Sequence, residues 1–324
     1  MRLLLPIAAF CIVVGLADAA GYGHGYGQFL MGWGAVVLGG TVMRRARWPA
    51  VLAVLCAIAL GMTALCLVQV HHMPRARGIF ASANFLAGYA VLSLFLAWLL
   101  LSHGRRWLLI SAMAGCVVMI ALSQSRGGAV ALAAGLLTSL PRKWRGAALS
   151  ACGALLLLFE AVRAPSDYTI VYRFQLWRLG LLVAKNHLLL GVGQGVLFNR
   201  FYSVPLDWLV TTGILGLGCW LWVVVGCVRA AWRLRDAQKP PMLGFIAAYL
   251  VGGLFIFDTP ATLIPVGIAV AYLLSVVDRD VAKGAGLVDD RQPFMDLAVG
   301  AGHTGRADRG DRYGAIAREG IPRR

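Results

Sequence analysis

Long apolar runs separated by short polar connections dominate the pattern of residues along this chain. A helix that crosses about 30 Å of hydrocarbon needs roughly 20 apolar residues, and ten runs come near this length. We therefore predict an all-α polytopic membrane protein with about ten transmembrane helices. The predicted spans are 3–18, 28–43, 48–70, 81–101, 107–123, 127–140, 147–162, 205–227, 242–257 and 261–276.

The connections between these runs differ in charge, and the difference predicts the orientation of the chain. One alternate set is basic, at 44–47, 105–106, 142–145 and 229–239. The other set begins with the uncharged segment 21–27. Because basic loops stay on the cytoplasmic side, we predict a multi-pass protein of the bacterial inner membrane with both termini in the cytoplasm. The N-terminal run also resembles a cleavable signal sequence, whose removal would leave the later topology unchanged.

One connection, at residues 163–204, is much longer than the others. Apolar residues recur in it at helical spacing, with basic residues between them. They are Tyr172, Leu176, Leu179, Leu182 and Val183. This pattern predicts an amphipathic helix on the periplasmic surface of the membrane. The predicted domains are a transmembrane domain at 1–277, which includes this loop, and a disordered cytoplasmic tail at 278–324, which lacks periodicity.

Composition agrees with a membrane protein. Of the 324 residues, 60% are hydrophobic and 14% are charged, against roughly 45–50% and about 25% in soluble domains. The net charge of +16 would suit nucleic acid, but it lies almost wholly in the short connections. We expect membrane lipids as partners and no nucleic acid. All seven cysteines lie inside apolar runs without metal-ligand spacing, so we predict no disulfide and no metal site.

Basic residues on the predicted outer side are candidates for function because they depart from the charge rule. Arg126 is the clearest case, since it lies between two apolar helices that are joined by almost no loop. A guanidinium there is costly unless it faces a polar cavity or a bound anion, and its planar fork suits phosphate. Snorkelling to the interface is the alternative. The other outer basic residues are Arg75, Arg77, Arg163, Arg173, Arg178, Lys185 and Arg200.

Three weaker features have both a structural and a functional interpretation. Asp207, early in the eighth span, is an intramembrane acid that either serves function or caps its helix. Glu160 and Arg163 are three residues apart and are placed to pair. The glycine-rich segment 191–195 has the spacing of a dinucleotide loop, but no strand–helix unit surrounds it. We predict a tight turn there that returns the chain to the membrane.

Three stretches, in order, have further significance. The first is Arg77-Gly78-Ile79-Phe80, followed by Asn84, Ala87, Gly88 and Tyr89, and the second is Ser123-Gln124-Ser125-Arg126-Gly127-Gly128. The third contains Arg173, Trp177, Arg178, Asn186, His187, Leu190-Gly191-Val192-Gly193, Gly195, Phe198, Leu206-Asp207-Trp208-Leu209-Val210 and Gly213-Ile214-Leu215-Gly216-Leu217. Together they resemble the O-antigen ligase and O-antigen polymerase superfamily of bacterial envelope proteins, over roughly residues 70–230.

The resemblance implies a metal-independent inverting glycosyltransferase that needs no cofactor. Such a protein transfers a glycan from an undecaprenyl-pyrophosphate carrier to an acceptor on the periplasmic face. The acceptor is the lipid A core for a ligase and a polysaccharide for a polymerase, and the sequence leaves both open. By position, Arg126 and Arg173 or Arg178 are implied to hold the pyrophosphate. The implied substrate-binding residues are Arg77, Asn84, Arg178 and His187.

The chain departs from the family pattern at one important place. The family's His-Asn pair, which engages the acceptor hydroxyl, falls on Tyr202-Ser203. A tyrosine hydroxyl is a poor base at neutral pH. Either another residue replaces it, or the acceptor chemistry differs, or this member is inactive. The replacement candidates are Asp207, His71, His72 and Glu160, and Arg126, Arg173, Asp207 and Tyr202 are the catalytic candidates.

A rival hypothesis from another class is a non-enzymatic transporter or a degenerate scaffold in polysaccharide export. A transporter is expected to place charged residues or broken helices near the bilayer midplane. The conspicuous arginines lie instead at the predicted outer ends of the spans.

Overall fold

A computed structural model describes residues 48–102, 106–162, 168–193, 201–256 and 259–284. Within these ranges the chain forms nine α-helices and one turn of 3-10 helix, and no described residue forms a strand. The prediction of an all-α protein is thereby confirmed for the described part. The helices are α1 (Trp48–Gln69), α2 (Ala83–Leu99), α3 (Arg106–Ser123), α4 (Arg126–Ser139), α5 (Arg142–Val162), α6 (Tyr168–Asn186), α7 (Val204–Ala231), α8 (Lys239–Gly252) and α9 (Pro260–Gly284).

All the helices except α6 coincide with predicted spans. The predicted spans at 3–18 and 28–43 lie outside the described residues. At the other end, α9 continues into the segment assigned to the tail. The reason is local, because Gly284 is the first helix-terminating residue after the predicted end of the span. Residues 285–324 lie outside the described residues.

Three of the described helical segments are long and apolar enough to cross a membrane. They are Arg106–Ser123, Arg142–Ala161 and Val204–Ala231. Three shorter segments are also apolar, namely Ala53–Gln69, Ala83–Leu99 and Thr262–Val276. These lengths and compositions are those of a membrane-associated protein.

The central helix of the described bundle is α2, which packs against α1, α3, α4, α8 and α9. Its sequence is apolar around the whole circumference, as expected of a helix that is covered on all sides. Twelve of its 17 residues are buried. Ser82 caps its first turn, since the serine hydroxyl accepts a hydrogen bond from the backbone N–H of Asn84. The start of α2 is therefore well fixed.

Helices α4 and α8 approach closely through two glycines. A Cβ atom at Gly135 would lie 2.9 Å from the carbonyl oxygen of Gly244, and one at Gly244 would lie 2.8 Å from the carbonyl oxygen of Gly135. Small residues are typical of helix interfaces in membranes because they let the backbones come together. This seam carries the N-terminus of α4 and the C-terminus of α8 to the same end of the bundle.

A helix is present as α6 at the place where the sequence predicts an amphipathic surface helix. Leu176, Gly180 and Ala184 form its buried face, and Gly180 leaves room for Phe201 and Leu206 to pack against α6. Three apolar residues of the predicted pattern, Tyr172, Leu179 and Leu182, are exposed and do not pack against the described bundle.

Candidate functional site

The connection between α1 and α2 is fastened by the side chain of Gln69. Its Oε1 atom accepts hydrogen bonds from the backbone N–H groups of Arg77 (3.1 Å) and Gly78 (2.8 Å), and its Nε2 atom donates to the carbonyl oxygen of Gly78 (2.7 Å). Gly78 has φ +60°, a conformation that favours glycine. In this turn the side chain of Arg77, a predicted substrate-binding residue, is exposed.

Arg75, rather than Arg77, contacts the second sequence stretch. Its Nε donates to the carbonyl oxygen of Ser123 (2.8 Å), and its Nη2 donates to Oδ1 of Asn84 (3.2 Å). The same Oδ1 atom accepts a hydrogen bond from the hydroxyl of Ser125 (3.0 Å). The first two stretches are therefore joined directly. The sequence placed both arginines among the outer basic residues, and the resemblance favoured Arg77 as a substrate-binding residue. The contact made by Arg75 was not predictable because it depends on the intervening turn.

The second stretch forms a tight reversal between α3 and α4. Gln124 has φ +48°, which is uncommon for a residue with a side chain. Ser125 then caps α4, since its hydroxyl accepts a hydrogen bond from the backbone N–H of Gly128 (3.2 Å). A Cβ atom at Gly128 would lie 2.6 Å from the Cβ atom of Ala87 on α2. Glycine is therefore required for α4 to pack on α2 here.

Arg126, the first residue of α4, binds Glu160 near the end of α5. Its Nη2 donates to Oε2 of Glu160 (2.7 Å), and its Nε pairs with the other carboxylate oxygen. The side chains are 26% and 51% exposed, respectively. Opposite charges this close largely cancel each other's field at a third group. Glu160 thus has a partner on another helix, and Arg163, its predicted partner, lies outside the described residues.

In the third stretch, α7 is broken at Gly213, which has φ +68° and ψ −168°. The segment before residue 194 lies alongside this break. The backbone N–H groups of Val192 and Gly193 donate to the carbonyl oxygens of Val210 (2.9 Å) and Thr211 (3.0 Å). The carbonyl oxygens that lose their helical partners at the break therefore accept hydrogen bonds from another part of the protein. Such bonds are needed wherever backbone groups lie at membrane depth.

The tight turn predicted at 191–195 is present over its described part. Gly191 and Gly193 have φ +70° and +80°, and a Cβ atom at Gly191 would overlap the backbone of Thr211. A Cβ atom at Gly213 would in turn overlap the backbone of Leu189. The glycines in this stretch therefore permit direct backbone contact between the turn and α7.

The residues immediately before α7 bring together three catalytic candidates. Tyr202 is half-buried with φ +54°, and Cζ of Arg173 lies 5.6 Å from its ring centroid, a cation–π contact. Asp207 is 6% exposed, and its Oδ1 accepts a hydrogen bond from the backbone N–H of Phe201 (3.0 Å). The indole N–H of Trp177 donates to the carbonyl oxygen of Phe201 (2.9 Å). Asp207 thus holds the segment that precedes α7 in place. This role resembles the helix-capping interpretation of the residue.

The remaining candidates lie at the surface. Arg178 on α6 and His187 just after it, both predicted to bind substrate, are exposed. His71 and His72, candidates to replace the family's histidine, are exposed after the end of α1. The six cysteines in the described ranges are free thiols, and no cluster of three His, Cys, Asp or Glu side chains occurs there.

A narrow cleft lies where α2, α4, α7, α8 and α9 meet, with a cavity volume of about 20 Å³. This is room for about one water molecule. One end of the cleft is lined by Asn84, Gly127, Gly128, Val204, Gly253 and Thr262, and the other end by Val91, Leu92, Ala131 and Ala248. Its lining residues do not include Arg126, Arg173, Arg178 or Asp207. However, Arg126 immediately precedes Gly127, and Asp207 follows Val204 within one turn.

No family model matches this chain, and no curated protein matches it. The interpretation of function therefore depends on the three short stretches and on the side chains that the fold brings together.

Proposed function

We propose that this chain is an O-antigen ligase-like glycosyltransferase. It transfers a glycan from an undecaprenyl-pyrophosphate carrier to the lipid A core at the periplasmic face of the inner membrane. The observation that carries the proposal is the cleft, because residues from the first two stretches (Asn84, Gly127 and Gly128) line it together with Val204, which lies between Phe198 and Leu206 of the third. Stretches far apart in the sequence thus meet at one place.

The proposed topology has ten spans with both termini in the cytoplasm, on the strength of the charge pattern. The charge rule assigns the starts of α2, α4, α7 and α9 and the end of α8 to the outside. These five ends surround the end of the cleft that contains Asn84. The loop at 163–204, which includes α6, is then periplasmic.

In the proposed reaction the acceptor hydroxyl oxygen forms a bond to the anomeric carbon while the bond from that carbon to the carrier's pyrophosphate breaks. Inversion follows from attack opposite the leaving group. Negative charge develops on the departing pyrophosphate, and Arg173, Arg178 and Arg126 stabilise it. Arg126 does so by exchanging its partner Glu160 for the pyrophosphate. The hydroxyl proton passes to a base, for which the buried carboxylate of Asp207 in the first turn of α7 is our candidate. Asp207 binds the backbone N–H of Phe201, the residue before Tyr202, and Arg173 of α6 lies over the Tyr202 ring.

The decisive experiment compares Arg126→Ala with Arg145→Ala in a deletion strain of the source bacterium. Arg145 is exposed at the opposite end of the bundle, so its variant should restore normal envelope glycans. Arg126→Ala should not restore them, at equal protein level. Unchanged glycans with Arg126→Ala would remove this arginine from the mechanism.

The same glycan profile separates a ligase from a polysaccharide polymerase of the same superfamily. Deletion of a ligase leaves lipopolysaccharide without any polymer cap, whereas deletion of a polymerase leaves caps of a single repeat. We expect the first pattern.

A second candidate function is a non-enzymatic transporter or a scaffold in polysaccharide export. The break of α7 at Gly213 favours it, because transporters often bind substrate at broken helices. Purified protein mixed with carrier-linked glycan and acceptor distinguishes the two. Release of undecaprenyl pyrophosphate together with glycosylated acceptor indicates the enzyme, and an inactive protein that is still needed for export indicates the transporter or scaffold.

A further inference from the structure

A second cavity lies between α7, α8 and α9, and it has the form of a channel. Its volume is about 40 Å³, which is room for about three groups the size of a water molecule. The lining residues extend from Trp220 to Cys227, from Met242 to Tyr249 and from Val266 to Leu273, and within each helix they recur every three or four positions. The channel therefore runs along the helix axes for about 10 Å. This narrow, elongated form fits a single hydrocarbon chain.

The lining of the channel is apolar, and it reaches the outside of the bundle. It consists of aliphatic and aromatic side chains, Met242 and the thiol of Cys227, so water finds few partners there. Empty space in the channel would cost these side chains their dispersion contacts. Val224 of α7 and Tyr249 of α8 are half-buried, whereas the other lining residues are buried. A chain from the surrounding lipid can therefore enter between these two helices.

One end of the channel lies at the connection between α7 and α8. Cys227, near the end of α7, and Met242, near the start of α8, line this end, so the segment that joins the two helices crosses it. This connection, at residues 229–239, contains four basic residues and one acidic residue. Trp232 within it is 60% exposed, and Nζ of Lys239 lies 5.9 Å from the ring centroid of Trp232. An exposed tryptophan beside basic residues is typical of a protein surface at the level of the lipid headgroups.

Positive charge predominates in this connection. Arg229, Arg233 and Arg235 are exposed, and the acid, Asp236, pairs with Lys239 (3.3 Å). The charge rule accounts for basic residues in a cytoplasmic connection, but it does not account for an apolar channel that ends beside them. Basic residues at the mouth of an apolar space between membrane helices are complementary to an anionic lipid.

We propose that the channel holds one acyl chain of an anionic phospholipid, whose phosphate group binds the connection between α7 and α8. Arg233 and Arg235 contact the phosphate, because they lie in the turn itself, beyond Ala231 at the end of α7. Binding requires neither a glycan nor a carrier lipid. This lipid site is therefore independent of the proposed function.

The charged end of the site is tested with the full chain, purified in detergent. Native mass spectrometry gives the Kd for phosphatidylglycerol and for phosphatidylcholine with the same acyl chains, and we expect phosphatidylglycerol to bind more tightly. Arg233→Gln combined with Arg235→Gln should raise the Kd for phosphatidylglycerol about thirtyfold, since each basic residue near a membrane surface contributes about fivefold. The matched control is Arg142→Gln combined with Lys143→Gln. It removes the same charge from exposed positions on α5, which lines neither the cleft nor the channel, and should leave the Kd unchanged.

The apolar part of the site is tested by Ala269→Leu. Ala269 is a buried residue of the channel lining, so the larger side chain takes the place of the lipid chain. The Kd for phosphatidylglycerol should rise about tenfold, as expected when roughly two methylene groups lose their burial. Tm in lipid-free detergent should stay equal or rise, because the added carbon atoms fill empty space.

A measurement on the unsubstituted protein locates the lipid chain without any change to the packing. Phosphatidylglycerol with a diazirine in one acyl chain should label residues of α7 or α8 that line the channel. The proposal is overturned if the two lipids bind equally, if the control on α5 loses as much affinity, or if the diazirine labels only residues outside the channel.

Discussion

At the residue scale, Arg126 shows what the sequence can and cannot predict. A guanidinium at that position is costly unless it faces a polar cavity or a bound anion, and in the structure its partner is Glu160. The two residues are 34 positions apart, so no helical spacing reveals the pair. For a similar reason, the sequence could not predict that Arg75, rather than Arg77, contacts the second stretch. It depends on hydrogen bonds from Gln69 that form only in the folded chain.

The exposure of the Arg126–Glu160 pair predicts that it contributes little to stability. Pairs this accessible to solvent are worth about 0.2–1 kcal/mol. A double-mutant cycle with Arg126→Gln and Glu160→Gln should therefore give a coupling free energy in that range, measured by chemical unfolding in detergent. The control is Asp236→Asn, which removes the fully exposed acidic partner of Lys239. It should leave the free energy of unfolding unchanged. A coupling above about 3 kcal/mol would instead indicate a buried pair.

At the scale of elements, the helices were predictable because apolar runs of the right length have few alternatives in a membrane. The span predicted at 48–70 is α1, which ends at Gln69. The break in α7 was not predictable. Gly213 and Gly218 lie in the same apolar run, and the sequence does not show which of them interrupts the helix. In the structure Gly213 lies against the backbone of Leu189, whereas Gly218 has open space around it. The face of α6 that packs on the protein was not predictable, because Gly180 and Ala184 on it give no apolar periodicity.

Gly213→Ala should destabilise the protein, and Gly218→Ala should not. An alanine at φ +68° and ψ −168°, a region essentially restricted to glycine, costs about 1–3 kcal/mol, and its Cβ would also overlap the carbonyl of Leu189. Nothing lies within 4 Å of a Cβ atom at Gly218, where alanine favours the helix by up to about 1 kcal/mol. Thermal unfolding of both variants in detergent is the measurement. Equal melting temperatures for the two variants would mean that an alanine adopts the backbone conformation at residue 213 without strain.

At the scale of the whole molecule, packing brings together the helix ends that the charge pattern predicts to be outside. The predicted basic connections follow α2, α4 and α7, whereas the starts of these helices surround the end of the cleft that contains Asn84. A chain inserted the other way would place this end of the cleft in the cytoplasm, where no carrier-linked periplasmic glycan reaches it. Orientation is therefore the property on which the proposed function depends most.

Two single cysteines test the orientation directly. Ile79, in the connection before α2, is 75% exposed, and Trp144, in the first turn of α5, is 56% exposed. In intact cells a maleimide that does not cross the inner membrane should label Ile79→Cys, and it should label Trp144→Cys only after lysis. The unsubstituted protein gives the background, which should be low because its described cysteines are buried or half-buried. The reverse labelling pattern would place the end of the cleft that contains Asn84 in the cytoplasm. Periplasmic glycan transfer would then be impossible.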